Sequence, residues 1–201
     1  LHPGIAQGIG AAVAKALAVR GLTVAVAKTV ERVEHELGAI DYLVNVAGLL
    51  YTGGAIDAGD EDWMQSFAVN THGVFFLTRA AARRDRDRRF QRGLDPARMG
   101  MAATAQYIRC LGLELAEYGI RCNLVSPGST DTEMQRHYWR NGDGSAEQII
   151  RGSLEKHRLG IPPRKLAQPD DIARTVLFLL SDAAGHVTMQ DLVVDGGAML
   201  G

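Results

Sequence analysis

Along the chain, apolar positions fall into two rhythms, one helical and one suited to buried strands. Val13, Ala14, Leu17 and Ala18 recur at helical spacing behind Gly4-Ile5-Ala6-Gln7-Gly8-Ile9-Gly10, and Gly21 offers a C-cap. Thr23 to Ala27 is a short apolar run of the kind a buried parallel strand needs. Val30 to Leu37 predicts a polar helix closed by Gly38, and Asp41 to Gly48 a second buried strand running into a glycine turn. Residues 60–84 predict a long helix with Trp63, Met64, Phe67, Val74, Phe75 and Leu77 on its apolar side. Ala102 to Tyr118 predicts another, ending at Gly119. Ile120 to Val125 reads as a strand broken by Ser126-Pro127-Gly128, and residues 137–165 as polar and mobile. A helix over Asp170 to Leu180, begun by Asp170 or Pro169, precedes a last strand and turn at Leu192 to Gly197. Helices alternating with strands, without an internal repeat, specify an α/β fold on a parallel sheet.

That alternation has gaps. The glycine loop has three residues before it, where a strand of about five or six is expected. No apolar strand is visible in residues 83–101, where Arg83 to Arg89 runs on towards Leu94-Asp95-Pro96. A sheet lacking a central strand would strand backbone groups that are costly when buried. The pattern therefore reads as an α/β chain with segments missing, and a true deletion is the competing reading.

Composition narrows the class. With 201 residues and 46% hydrophobic content, the chain suits a single domain spanning 1–201. A net charge of −1 implies no general affinity for nucleic acid. Arg83 to Arg92 reads as a solvated helix end, since only Phe90 interleaves it. No apolar run approaches the roughly 20 residues that span a bilayer, and no signal-peptide pattern opens the chain. Cys110 and Cys122 read as buried, reduced thiols, which points to the cytoplasm. The six histidines show no ligand spacing, so no metal is assigned.

Four motifs carry candidate chemistry. Gly4, Gln7, Gly8, Ile9 and Gly10 at the mouth of a helix could cradle a pyrophosphate, or form a plain turn. Asn45, Ala47 and Gly48 end a buried strand, where an open sheet places its ligand crevice; a capped glycine turn is the alternative. Asn70 lies inside an apolar helix near Gly73, able to distort it and hold a water, or simply to face solvent. Pro127, Gly128, Thr130 and Thr132 come after another buried strand and could bind a carboxamide, or be ordinary turn residues.

These motifs, in this order, resemble the short-chain dehydrogenase/reductase family over nearly the whole chain, down to Val194-Asp195-Gly196-Gly197. The resemblance implies a doubly wound parallel sheet (Rossmann-type) in a single domain, with a substrate lid at about 133–165. Glu61-Asp62-Trp63, Arg121-Cys122-Asn123, Ser126 to Arg136 and Leu159-Gly160-Ile161-Pro162 look most like family members that oxidise a cyclohexadiene diol carboxylate to a catechol for siderophore synthesis. It implies NAD as cofactor, with NADP less favoured although Lys28 stands where an acidic ribose ligand is expected. Reduction of a 3-oxoacyl thioester, and dinucleotide binding without catalysis, are the competing functions. Asn70 would hold the water of a proton relay, Arg98 would pair with the substrate carboxylate, and Met134 and Gln135 would close over its ring. A homotetramer through helices 60–84 and 102–118 is also implied.

The family's Ser, Tyr and Lys are absent. None of the five tyrosines stands four residues before a lysine. Met99-Gly100-Met101 resembles the segment just before the family Tyr, and Ala102-Ala103-Thr104 the segment just after the Lys. Breaks in the backbone are therefore expected near Ala27–Lys28, within 84–100 and near Met101–Ala102, since trans-linked Cα atoms lie ~3.8 Å apart.

Overall fold

The computed structural model describes residues 7–26, 29–49, 59–84, 91–94, 101–142, 144–156 and 158–199. Four strands, β1 (Tyr42–Asn45), β2 (Gln91–Leu94), β3 (Cys122–Pro127) and β4 (Asp191–Val194), form one sheet in the order β1-β2-β3-β4. β1 pairs with β2 in parallel, Tyr42 facing Gln91, and β2 pairs with β3 in parallel, Arg92 facing Cys122. Eight α-helices accompany them among the described residues: α1 (Gly8–Val19), α2 (Val30–Leu37), α3 (Asp60–Phe67), α4 (Gly73–Arg84), α5 (Met101–Leu115), α6 (Glu133–Arg140), α7 (Ala146–Arg151) and α8 (Pro169–Leu180). The parallel-sheet α/β architecture expected from the sequence is the one observed.

The helices begin where side chains supply missing hydrogen bonds. Thr29 accepts from Arg32 N to open α2, which closes on Gly38 at φ +90°. In α8, Asp171 reaches back to the backbone N–H of Gln168 at 2.8 Å. β3 is buried along Cys122 to Ser126, the continuous burial of a strand covered on both faces.

Contacts divide the chain into two compact units. The first comprises Leu1–Ala27, Val125–Phe178 and Leu192–Gly201; the second Lys28–Leu124 and Leu179–Asp191. In the first, Val13 and Leu17 of α1, Val125, Ile161, and Ile172, Ala173 and Val176 of α8 are buried. In the second, Val74, Ala81, Ile108, Leu111, Leu115, Ile120, Cys122 and Leu124 form one apolar core. Arg121 closes that unit by donating to Leu179 O at 2.6 Å and Ser181 O at 3.3 Å. Burial lowers the pKa of its guanidinium from the ordinary value, opposed by the charge of Asp182.

Several expectations are corrected. Of the strand expected over Thr23 to Ala27, Thr23 to Val26 form no ladder with any described residue, and an apolar run gains from extension only where it is paired. Conversely Gln91–Leu94 is a strand within the sheet, because ladders on both sides outweigh an unfavourable composition. Residues 60–84 are interrupted by a π-helical turn at Ala68–His72. Trp63 and Met64, expected on the apolar side, are exposed. The polar stretch 137–165 is not without regular structure: it holds the end of α6, α7 and a 3-10 turn at Leu154–Lys156. Cys110, expected buried, is exposed, while Cys122 is buried. The break expected at Met101–Ala102 is absent: α5 runs through that junction as one helix, its Met-Ala-Ala sequence being a good helix former. The Ala27–Lys28 junction and most of 84–100 lie outside the described residues.

Candidate dinucleotide and substrate site

In the first unit the site is built around the start of α1. Gly8 has φ +53°, a left-handed conformation that glycine adopts without strain. Gln7 precedes it in an extended conformation and gives no side-chain cap, and no acid stands in the first turn. The positive end of α1, with Ile9 and Gly10, thus has neither a cap from Gln7 nor a first-turn acid, which suits it to an anion. A methyl group at Gly8 would meet Thr132 Cγ2 at 3.0 Å, so Thr132 lies directly against this turn.

The loop after β3 is tightly tied. Gly128 N donates to Val194 O, and a Cβ at Gly128 would fall 2.6 Å from Asp195 Cα. Thr130 is buried, donates its hydroxyl to Gly128 O at 3.0 Å, and forms a parallel bridge with Ala167. Asp131 N donates to Ala167 O, and the Asp131 carboxylate takes two bonds from Arg136, of 2.7 and 2.9 Å. The Arg136 bonds hold the Asp131 pKa below the usual carboxylate value. Thr132 then caps α6 by accepting from Gln135 N. Met134 is exposed on that helix and Gln135 half-buried.

In the second unit, Asn45 ends β1 with its side chain buried and accepting from Ala47 N at 3.1 Å, which fixes the turn into Gly48. Asn70 occupies the middle of the π-helical turn, fully buried. Its Oδ1 accepts from Leu49 N at 2.8 Å, and its Nδ2 donates to Leu49 O at 2.9 Å and Ser66 Oγ at 3.1 Å. Its own carbonyl accepts from Thr104 Oγ1 at 3.0 Å. π-helical turns recur at functional sites because one extra residue re-aims the chain.

Within the first unit the structure therefore gathers Gly8 and Thr132, and within the second the Asn45 turn, Leu49 and Asn70. Gly4 and Arg98 lie outside the described residues. Ser66 and Thr104 were not singled out in the sequence. Ser66 could have been, since it stands one helical turn before Asn70; Thr104 carried no local signal. Among the described residues, no group of three or more His, Cys, Asp or Glu could hold a metal, and no helix is long and apolar enough to cross a membrane.

Comparison with known proteins assigns the fold and the family. A solved structure described as ElxO with NADP bound superposes with a TM-score of 0.81 at 18% identity, covering 97% of this chain and 96% of the other. The 2,3-dihydro-2,3-dihydroxybenzoate dehydrogenase of Bacillus subtilis (strain 168) is 42% identical over 247 aligned positions, covering 98% of this chain and 94% of that protein. Those positions exceed the 201 residues present, so the relative holds segments with no counterpart here. The enzyme of the same name from Escherichia coli (strain K12) is 45% identical, covering 88% of this chain and 76% of its own length. The family model for short chain dehydrogenase matches residues 25–89, and that for Enoyl-(Acyl carrier protein) reductase matches residues 95–199. The chain belongs to the short-chain dehydrogenase/reductase family, nicotinamide-dinucleotide oxidoreductases acting on alcohol groups.

Proposed function

We propose that this protein serves the NAD-linked oxidation of 2,3-dihydro-2,3-dihydroxybenzoate, a cyclic dihydrodiol carboxylate, to the corresponding catechol acid of siderophore synthesis. The observation that carries the proposal is the 42–45% identity to two dehydrogenases named for that substrate, across most of their length. The start of α1 fits the diphosphate of a dinucleotide: a left-handed glycine, no side-chain cap and no acid in the first turn. Gln7, Gly8, Ile9 and Gly10 would hold it, with Thr132 beside them. When bound, the nicotinamide accepts hydride from the substrate carbinol. Met134 and Gln135 on α6 would cover the substrate ring, and Arg98 would hold its carboxylate. Asn70, whose carbonyl accepts from Thr104 Oγ1, would hold the water of a proton relay.

Proton removal does not fit the residues present. A family member takes the hydroxyl proton with a Tyr whose pKa a nearby Lys lowers, and this sequence has no such pair. Turnover therefore requires those two residues, and a chain without them would be confined to binding dinucleotide.

Two measurements decide. Intact mass of the protein from its native source gives 21.7 kDa for the binding form, against about 25–27 kDa for one with the Tyr–Lys segment restored. NADH formation with the dihydrodiol acid is expected only from the heavier species. Turnover of a 3-oxoacyl thioester in its place would reassign the substrate. A tetramer in sedimentation would support assembly through helices 60–84 and 102–118, where Phe76 and Leu113 are exposed; a monomer at micromolar concentration would oppose it.

A further inference from the structure

Three side chains of α6 are half-buried, Gln135, Tyr138 and Trp139, while Glu133, Met134, Arg136, His137 and Arg140 are exposed. Residues four apart share a helix face, so Trp139 stands one turn beyond Gln135 on the same side. The indole Nε1–H of Trp139 is withdrawn from water and has no hydrogen-bond partner among the described residues. The backbone there is fixed, since Trp139 O accepts from Gly142 N at 3.2 Å where the helix ends. Buried polar groups in folded proteins are nearly all paired, so an orphaned donor calls for a reason.

An indole N–H can only donate. Because it makes no bond in the free protein, turning the half-buried ring towards an incoming oxygen breaks none. The two arginines of α6 lie on its exposed side, Arg136 paired with Asp131 and Arg140 with Glu133. The half-buried face therefore offers neutral groups, which suit a neutral oxygen better than a carboxylate that is costly to take out of water. Gln135 complements the indole, since its amide oxygen can accept where the indole donates. A hydroxyl, with one proton and two lone pairs, is satisfied by that pair at once.

We propose that Trp139, with Gln135 beside it, recognises a ring hydroxyl of the bound acid and so sets a preference for a dihydroxylated ring over a bare one. This rests on the substrate proposed above and leaves the carboxylate to Arg98. A site built to bond a hydroxyl discriminates against the analogue that lacks it, because only the hydroxyl gives the indole its missing partner.

The chain has two tryptophans, so an isotope-labelled sample shows two indole N–H signals in magnetic resonance, and Trp63→Phe identifies that of Trp139. The probes are 2,3-dihydroxybenzoate, the catechol product, and benzoate, each added to the full chain with saturating NADH. Dihydroxybenzoate moves the Trp139 signal downfield, as a new hydrogen bond does, and benzoate leaves it in place. In titrations the unaltered protein binds dihydroxybenzoate about tenfold more tightly than benzoate. Trp139→Phe keeps an aromatic ring and loses the donor: affinity for benzoate is unchanged, and the preference falls to about twofold or less. The indole signal is read in the unaltered protein, so it decides even where the variant fails to fold. A Trp139 signal unmoved by bound dihydroxybenzoate overturns the proposal and leaves the substrate standing. An equal loss of both acids in Trp139→Phe overturns it too, because the ring then serves only as packing. No binding of either acid to the unaltered protein removes the proposed substrate and the role of Trp139 with it.

Discussion

The side-chain amide of Asn70 is hydrogen-bonded to both backbone polar groups of Leu49, 21 residues away in sequence. An Asn used this way acts as a ladder partner for the chain leaving β1, so the π-helical turn and the Asn45–Leu49 segment hold each other in place. The third bond, to Ser66 Oγ, uses the remaining donor of the amide. Asn70→Ala leaves a buried hydroxyl and two backbone groups to find other partners. The expected loss is about 1–3 kcal/mol, read as a lower urea midpoint with an unchanged slope. A midpoint equal to that of the parent protein would show that the Leu49 bonds carry no net stability.

Gly128 permits a close backbone approach at the turn after β3. An added methyl would sit 2.6 Å from both Cα and Cβ of Asp195, and Asp195 is itself fixed by accepting from Gly197 N and Met199 N, each at 2.8 Å. Neither side can yield cheaply. Gly128→Ala is expected to destabilise by about 1–3 kcal/mol through overpacking. Gly21→Ala is the informative control. That glycine, unlike Gly128, has positive φ, but nothing lies within 4 Å of its Cβ position, so only backbone strain is added. Equal losses in thermal unfolding would sink the steric account.

Sequence made legible whatever depended on local pattern. The limits of α2 and the existence of α1, α5 and α8 can be read from apolar spacing and capping residues. β3 was visible because Cys122, Leu124 and Val125, with Ile120 before them, supply the apolar positions of a buried strand, although it runs on through Ser126 to Pro127, where a break was expected. β2 was not, because Gln91-Arg92-Gly93-Leu94 owes its extension to neighbouring backbones, which no local pattern records. The apolar segment Thr23 to Ala27 failed for the opposite reason: composition proposed a strand, and none of the described residues pairs with Thr23 to Val26. At the site, Gly8 and Asn70 stood out by being unusual for their helices. Their partners Thr132 and Thr104 lie 124 and 34 positions away, and only folding reveals those pairings.

Arg121 shows how backbone carbonyls can hold a buried cation. Its Nη1 donates to Leu179 O and its Nη2 to Ser181 O, carbonyls at the C-terminal end of α8 that have no partner within the helix. The negative end of the helix dipole lies there too. Lysine keeps the charge but lacks the planar fork. Arg121→Lys is therefore expected to lose roughly 1–2 kcal/mol, about the worth of one charge-assisted bond. Arg121→Met should lose more, because the carbonyls are left without a donor. The order Arg, Lys, Met in chemical denaturation checks this, and a methionine variant as stable as the lysine one would contradict it.

Asp171 gives the fold a defined response to acid. Its carboxylate accepts from Gln168 N–H at the start of α8, and that bond, helped by Arg174, holds its pKa below the usual carboxylate value. A carboxylate with a lowered folded-state pKa binds its proton less readily folded than unfolded. Its stabilisation is therefore complete above the unfolded value of about 3.9 and disappears as pH falls through the lower, folded value. Asp171→Ala should cost about 1 kcal/mol at neutral pH, as loss of a helix-start cap does. Near pH 2–3 parent and variant should converge, since the parent carboxyl is then protonated as well. Thermal unfolding of both proteins from pH 7 to pH 2 measures the difference directly. A gap that stays constant, or widens, as the pH is lowered would mean that Asp171 acts through packing, and not through its charge at the start of α8.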